Sequence, residues 1–225
     1  MPGRSIPLVT NQIYHVINRG VASQPIFYHQ RDYARALETI LYYQQQNPPL
    51  RYSFFLRLPA QQKRNLLTKP IGKGKLLVEI IAYCLMPNHL HLLLKQLEEN
   101  GISIFMSNLT NSYTRFFNTK RKRKGPLFQG KFKAVRIETD GQLVHVSRYI
   151  HLNPYTSFVL KSLEELESYP YSSLPEYLGS KKEAHCKTEI ILNNFKNIQS
   201  YKDFVFDRAD YQRELEKIKH LAIEG

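Results

Sequence analysis

The sequence predicts an α+β fold: a ferredoxin-like (RRM-like) antiparallel sheet with helices on one face, followed by a helical C-terminal extension. Three observations lead there. Two apolar, strand-like runs flank the break Met86-Pro87-Asn88, which makes a hairpin. Strand-like and helix-like segments follow one another in the order β–α–insert–β–β–α–β–α, the succession of a sheet with crossover helices. No internal repeat or long low-complexity stretch competes with one packed core.

The elements read in order. Gln12 to Asn18 (QIYHVIN) is rich in β-formers and gives a first strand, closed by the turn signal Asn18-Arg19-Gly20. From Asp32 to Gln46 the residues Tyr33, Ala36, Leu37, Ile40 and Leu41 fall at helical spacing, with Asp32 as N-cap and Asn47-Pro48-Pro49 as the stop. In the insert, Tyr52 to Leu58 suits a strand and Pro59 to Leu67 a short helix. Leu76 to Leu85 and His89 to Lys95 are the hairpin strands. Ser103 to Thr119 is helical through Ile104, Leu109, Tyr113, Phe116 and Phe117. A basic turn, Lys120 to Gly125, precedes a strand from Phe128 to Ile137. Asp140 to Asn153 forms a helix that Pro154 ends. Beyond it the chain is loop-rich, with one or two helices between Tyr201 and Ile223.

The 225 residues carry a formal net charge of +13, unevenly spread. Residues 1–154 hold 22 basic and 7 acidic side chains, a net of +15, whereas residues 155–225 come to −2. Between Phe105 and Ile137 there are nine basic residues and no acidic one. A polyanion is the partner such a distribution fits, and nucleic acid is the commonest. No apolar run is long enough to span a bilayer, and the first residues have no secretory pattern, so no membrane association is expected. Cys84 and Cys186 have no partners at zinc-site spacing, and a reducing, cytoplasmic setting follows.

Two local motifs can carry chemistry. On a strand, His89 and His91 of His89-Leu90-His91 project to one face while Leu90 turns to the core. Such a pair binds a divalent ion if a third group completes the site; alone, it is more often polar surface. On a helix, Tyr149 and Asn153 are i,i+4 neighbours, with His145 one turn before them. A tyrosine hydroxyl beside a metal can attack a phosphate, and an amide oxygen can ligate a hard cation. The same two residues also suit a core tyrosine and a helix cap before proline. His15 alternates on the first strand and suits the core, the surface, or a place near the pair.

The phrases YHVINRG, CLMPNHLHLLLK, LFQGKFKAVRIETD and VSRYIHLNP, in this order, resemble the single-tyrosine HUH transposases, IS200-like, and within them the REP-associated tyrosine transposases. The resemblance covers roughly residues 8 to 178 and implies an HUH endonuclease fold, with a catalytic domain over 1–154 and a helical extension over 155–225 packed on it. Carried over by position, His89 and His91 are the histidine pair that binds Mg²⁺ or Mn²⁺, and Tyr149 is the nucleophile. Asn153 stands where relatives place a third ligand, often Gln, and its arm is shorter. The implied reaction is cleavage and rejoining of single-stranded or hairpin DNA through a 5′-phosphotyrosine link. No ATP-binding loop pattern occurs, and none is needed when that link keeps the phosphodiester's energy. A homodimer is possible on this resemblance.

The DNA contacts expected are Lys120, Arg121, Lys122, Arg123 and Lys124 of the basic turn; Gln129, Lys131, Lys133 and Arg136 alternating on one strand face; Arg115; and Asn18 with Arg19 at the end of the first strand. The main rival is a non-catalytic nucleic-acid-binding module of ferredoxin-like fold, which needs neither the histidine pair nor Tyr149. A hydrolase of small phosphate esters fits the histidines but not the charge.

Overall fold

The computed structural model describes residues 7–68, 75–181, 184–207 and 209–214. Four strands, β1 (Ile13–Arg19), β2 (Val78–Met86), β3 (His89–Gln96) and β4 (Lys133–Ile137), form one antiparallel sheet in the order β2-β3-β1-β4. Helix α1 (Gln30–Tyr43) follows β1, and the insert supplies α2 (Tyr52–Phe55) and α3 (Ala60–Thr68). Helix α4 (Gly101–Lys120) links β3 to β4, so the core is the ferredoxin-like βαββαβ unit expected from the sequence.

The strand register sorts the side chains. Val16 lies opposite Leu92 and Ala134, and Ile17 opposite His91 and Lys133. Opposed residues share a face, so Val16, Leu90, Leu92 and Leu94 point one way while His15, His89 and His91 point the other. Helices α1 and α4 pack together over the leucine face. The Gln96 side-chain oxygen anchors α4 by accepting from the Ile102 amide at 3.1 Å. Helix α5 (Asp140–Thr156) lies across the opposite, histidine-bearing face. The two crossover helices therefore share one face as expected, and α5 adds a layer on the other.

Among the described residues beyond α5, α6 (Glu164–Glu167), α7 (Leu174–Tyr177), α8 (Glu189–Leu192) and α9 (Ile198–Phe206) hold α5 and β2, and the part of the Tyr201–Ile223 helical reading past residue 214 lies outside the described residues. Strand β2 is an edge strand, whose unpaired backbone groups need cover. Leu85 donates to the Tyr171 carbonyl at 2.9 Å, Ser173 to Tyr83 at 3.0 Å and Lys187 to Ile80 at 2.9 Å. Buried His151, on the back of α5, spans Tyr201 and Ser173 at 2.8 Å each, tying α5 to α9 and to this edge cover.

Several elements differ from the sequence reading. Tyr52–Leu58 is no strand: Tyr52 and Phe55 turn as a helix to pack on Tyr42. The strand expected from Phe128 begins only at Lys133, because Gly130 takes a φ of +60° that extended backbone does not use. Pro154 does not end α5, which continues to Thr156; in the last turn a proline forfeits one intrahelical bond and is tolerated. Asp32 sits in the first turn of α1 rather than before it, and its buried carboxylate accepts from the Tyr28 and His29 amides. At Gly20, where β1 leaves the sheet, any Cβ would collide with the Gln24 carbonyl oxygen, so the turn signal read there reflects a close backbone approach.

Candidate active site

The floor of the site is the histidine face of the sheet, and its roof is α5. Strand β3 carries His89 and His91 two residues apart, with ring centroids 4.8 Å from each other. Strand β1 brings His15 to the same floor, its ring stacked on His91 at 5.1 Å. From α5, the ring of Tyr149 approaches edge-on, 5.5 Å from His91 and 5.9 Å from His15. Asn153, one turn later on the same helix face, places its Nδ2 3.3 Å from His91 Nε2. Tyr149 is 44% exposed while His91 is 2% exposed, so the phenol stands at the rim and the imidazole at the base.

The hydrogen bonds fix the tautomers. With Asn153 Nδ2 donating, His91 Nε2 is an acceptor and keeps its lone pair. Its Nδ1–H then donates to His15 Nε2, 2.9 Å away. His89 is held likewise, its Nδ1–H donating to Asn88 Oδ1 at 2.6 Å, which leaves Nε2 unprotonated. Partners at the second ring nitrogen are what orient metal-binding imidazoles. From the sequence alone, Asn88 reads as a turn residue and His15 as a core, surface or near-site histidine. The signals that point to their roles are adjacency to His89 in a tight hairpin for Asn88 and period-2 alternation on a neighbouring strand for His15.

Among the described residues, no group of three His, Cys, Asp or Glu side chains is arranged to hold a metal ion. A divalent cation here would therefore draw on the two imidazole Nε2 atoms and an oxygen of another kind. Asn153 is placed to give one by turning its amide, whose Oδ1 now accepts from Ser157 Oγ at 3.2 Å. Two neutral imidazoles and an amide form a chemically acceptable donor set, with waters or phosphate oxygens for the remaining positions.

The floor is also kept neutral. Burial pulls the pKa of His15 from its ordinary 6.5 down to about 4. Burial, assisted by the charge of Arg19 opposite it in the register, takes His89 to about 4. His91 is pushed well below its ordinary value by burial first, then by His89, His15 and Arg19. These imidazoles are neutral in the fold and gain protons more readily once unfolded. Their contribution to stability is complete above about pH 6.5 and is lost as pH falls toward 4, on the order of 3 kcal/mol for each of His15 and His89. Thermal melting should show Tm falling between pH 6.5 and 5, before ordinary carboxylates titrate. A flat Tm across that window would contradict buried, neutral imidazoles.

The expected DNA contacts separate into groups. Asn18, Arg19, Gln129, Lys131 and Lys133 line one groove of about 370 Å³ with Ile17. Lys133 shares the histidine face through Ile17, whereas Arg136 lies opposite Tyr14, points to the other face and bonds Gln12 at 2.9 Å. The four residues read as alternating on one strand face are therefore not on one face, since 133 and 136 differ by an odd number and the strand starts late. Lys120 and Arg121 are engaged elsewhere, pairing with the buried Asp32 carboxylate at 2.6 and 3.1 Å. Burial acts to raise the pKa of Asp32, but Lys120 and the two amides outweigh it and hold the carboxyl below its usual range. Arg123 ties the turn to Asn118 and the Pro126 carbonyl, while Lys122 and Lys124 are exposed. Arg115 lies on α4, on the other side of the sheet. His145 points away from the pair, bonded to Arg148 and packed on Phe204.

Residues 61–153 match the family model described as "Transposase IS200 like". The resemblance read from the sequence therefore holds over a span that contains His89, His91, Tyr149 and Asn153. Among solved structures, one described as "Structure of the REP associates tyrosine transposase bound to a REP hairpin" aligns with 83% of this chain and 97% of that one, at 15% identity and a TM-score of 0.49. No curated protein matches. No helix among the described residues is long and apolar enough to cross a membrane.

Proposed function

We propose that the protein cleaves and rejoins single-stranded or hairpin DNA as an IS200-like transposase or related DNA-processing nuclease. One observation carries this reading: a half-exposed phenol, Tyr149, stands within 6 Å, ring to ring, of His91, one of the two proposed metal-binding imidazoles, and of His15, which holds His91 from the neighbouring strand. A module that only binds nucleic acid has no use for that convergence. The match of residues 61–153 to IS200-like transposases supports the same reading.

In the proposed reaction the Tyr149 oxygen gives up its proton and attacks phosphorus, forming the phosphotyrosine bond. The P–O3′ bond breaks, and the departing 3′ oxygen takes a proton to become a free 3′-OH. A 3′-OH attacking the same phosphorus reverses these steps and frees the tyrosine. His89, His91 and Asn153 would hold Mg²⁺ or Mn²⁺, which when bound offsets charge on the phosphoryl oxygens. His15 and Asn88 keep the two imidazoles in the required tautomer. Arg19 and Lys133 border the floor and attract the strand's phosphates.

The test is a covalent adduct. The protein is incubated with Mn²⁺ and single-stranded or hairpin oligonucleotides carrying a label at either end, then run on a denaturing gel. Label at the DNA 3′ end should migrate with the protein, and label at the 5′ end should appear in a free, shortened fragment. Absence of an adduct across a broad oligonucleotide library, or attachment to the opposite fragment, would refute the reaction as written.

A further inference from the structure

On the far side of the sheet from Tyr149 lies a groove of about 880 Å³ between α1, the segment around α2, and α4. Five arginines line it: Arg31 and Arg35 from α1, Arg51 and Arg57 flanking α2, and Arg115 from α4. None of the five forms an ion pair among the described residues. One acid, Glu38, joins the lining, and its carboxylate already accepts from the Tyr52 hydroxyl at 2.8 Å.

Arg35 is the telling member. It is 7% exposed, and its guanidinium lies 4.2 Å from the Tyr52 ring centroid and 5.4 Å from that of Phe116. Its Nε is buried with no hydrogen-bond partner. A buried guanidinium N–H without an acceptor is costly, and here it borders a groove with an excess of four positive charges, counting only these arginines and Glu38. The aromatic walls hold the fork in place at the edge of the groove. Guanidinium groups match phosphate oxygens in geometry.

We propose that this groove is a second DNA-contact site, which takes backbone phosphates of the substrate on the face away from the reacting tyrosine. The assignment rests on the DNA-processing reading above. The arginines come from three separate stretches of chain, a spread that suits successive phosphates of a strand rather than one isolated phosphate group. Four of the groove arginines, Arg31, Arg35, Arg51 and Arg57, lie outside residues 61–153, while Arg115 and the α4 wall lie within that span. The groove contributes to holding DNA and takes no part in the chemical step.

The experiment compares wild type with the double variant Arg57→Gln/Arg115→Gln, both exposed positions whose change leaves the core untouched. A fluorescent hairpin oligonucleotide is titrated in EDTA at several salt concentrations, and melting curves confirm that both proteins fold. The variant should bind about 10-fold more weakly, and its slope of log affinity against log salt should be shallower by about 1.8, two phosphate contacts' worth. Equal affinity and slope in the two proteins would overturn the groove and leave the reaction standing. A wild type that binds no DNA at all would overturn both. Titration with ATP distinguishes a free-nucleotide site: loss of ATP binding with intact DNA binding in the variant would overturn the DNA assignment.

Discussion

Tyr149→Phe is expected to abolish the covalent adduct while leaving DNA affinity within about twofold. The substitution removes one oxygen and retains the ring that packs edge-on against His91 and His15. The fold should be untouched, because Tyr149 lies at the rim of the site and α5 is anchored from its other side by His151, Tyr201 and Ser173. Loss of a nucleophile that forms the covalent intermediate lowers the rate by about 10⁴-fold or more, to the level of the assay background. Binding depends instead on phosphate contacts distributed over basic side chains, none of which is changed. The measurement pairs the denaturing-gel assay with anisotropy on the same oligonucleotide. Cleavage at the wild-type rate would remove Tyr149 from the chemistry and transfer attention to water as the attacking group. A combined loss of cleavage and binding would instead give Tyr149 a role in holding DNA.

How much of this site could be read in the sequence follows from the range of the interactions. His89 and His91 share a face because a strand has period two, and Tyr149 and Asn153 share one because a helix repeats near four residues. Both statements need only local geometry. That the two faces meet is a property of the topology, and only the motif resemblance anticipated it. Lys120 and Arg121 show the limit clearly. Within a run of five basic residues nothing local separates them from Lys122 and Lys124, yet their charges go to Asp32, 88 residues earlier for Lys120. Aromatic residues in Tyr52-Ser53-Phe54-Phe55 have high β-propensity, but burial against Tyr42 decides for a helical turn. The arginine groove escaped for a related reason. Arg31, Arg35, Arg51, Arg57 and Arg115 are scattered singly along the chain, and only the packing of α1 on α4 gathers them.

Replacing His91 by Ala should eliminate the response to Mn²⁺ and cut adduct formation by about 10³-fold, the several kcal/mol that a Lewis acid supplies to phosphoryl transfer. His91 is the junction of the site: its Nε2 faces Asn153 and its Nδ1 faces His15. Alanine removes an Nε2 lone pair that a cation would need and leaves His15 Nε2 without its partner. Some loss of stability is therefore expected, about 1 to 3 kcal/mol from the stranded polar groups, and a fall in activity alone would not separate chemistry from folding. His15→Ala supplies the separation. It removes none of the three proposed donors but frees the His91 ring to rotate, so Mn²⁺ affinity should weaken by about 10- to 100-fold while high Mn²⁺ restores activity. His91→Ala should show no such rescue at any concentration. Calorimetric titration of Mn²⁺ into each folded protein gives the same ordering without reference to turnover: wild type tightest, His15→Ala weaker, His91→Ala without measurable binding. Wild-type activity persisting in EDTA, or equal Mn²⁺ binding in all three proteins, would show that the imidazole pair serves the fold rather than a metal.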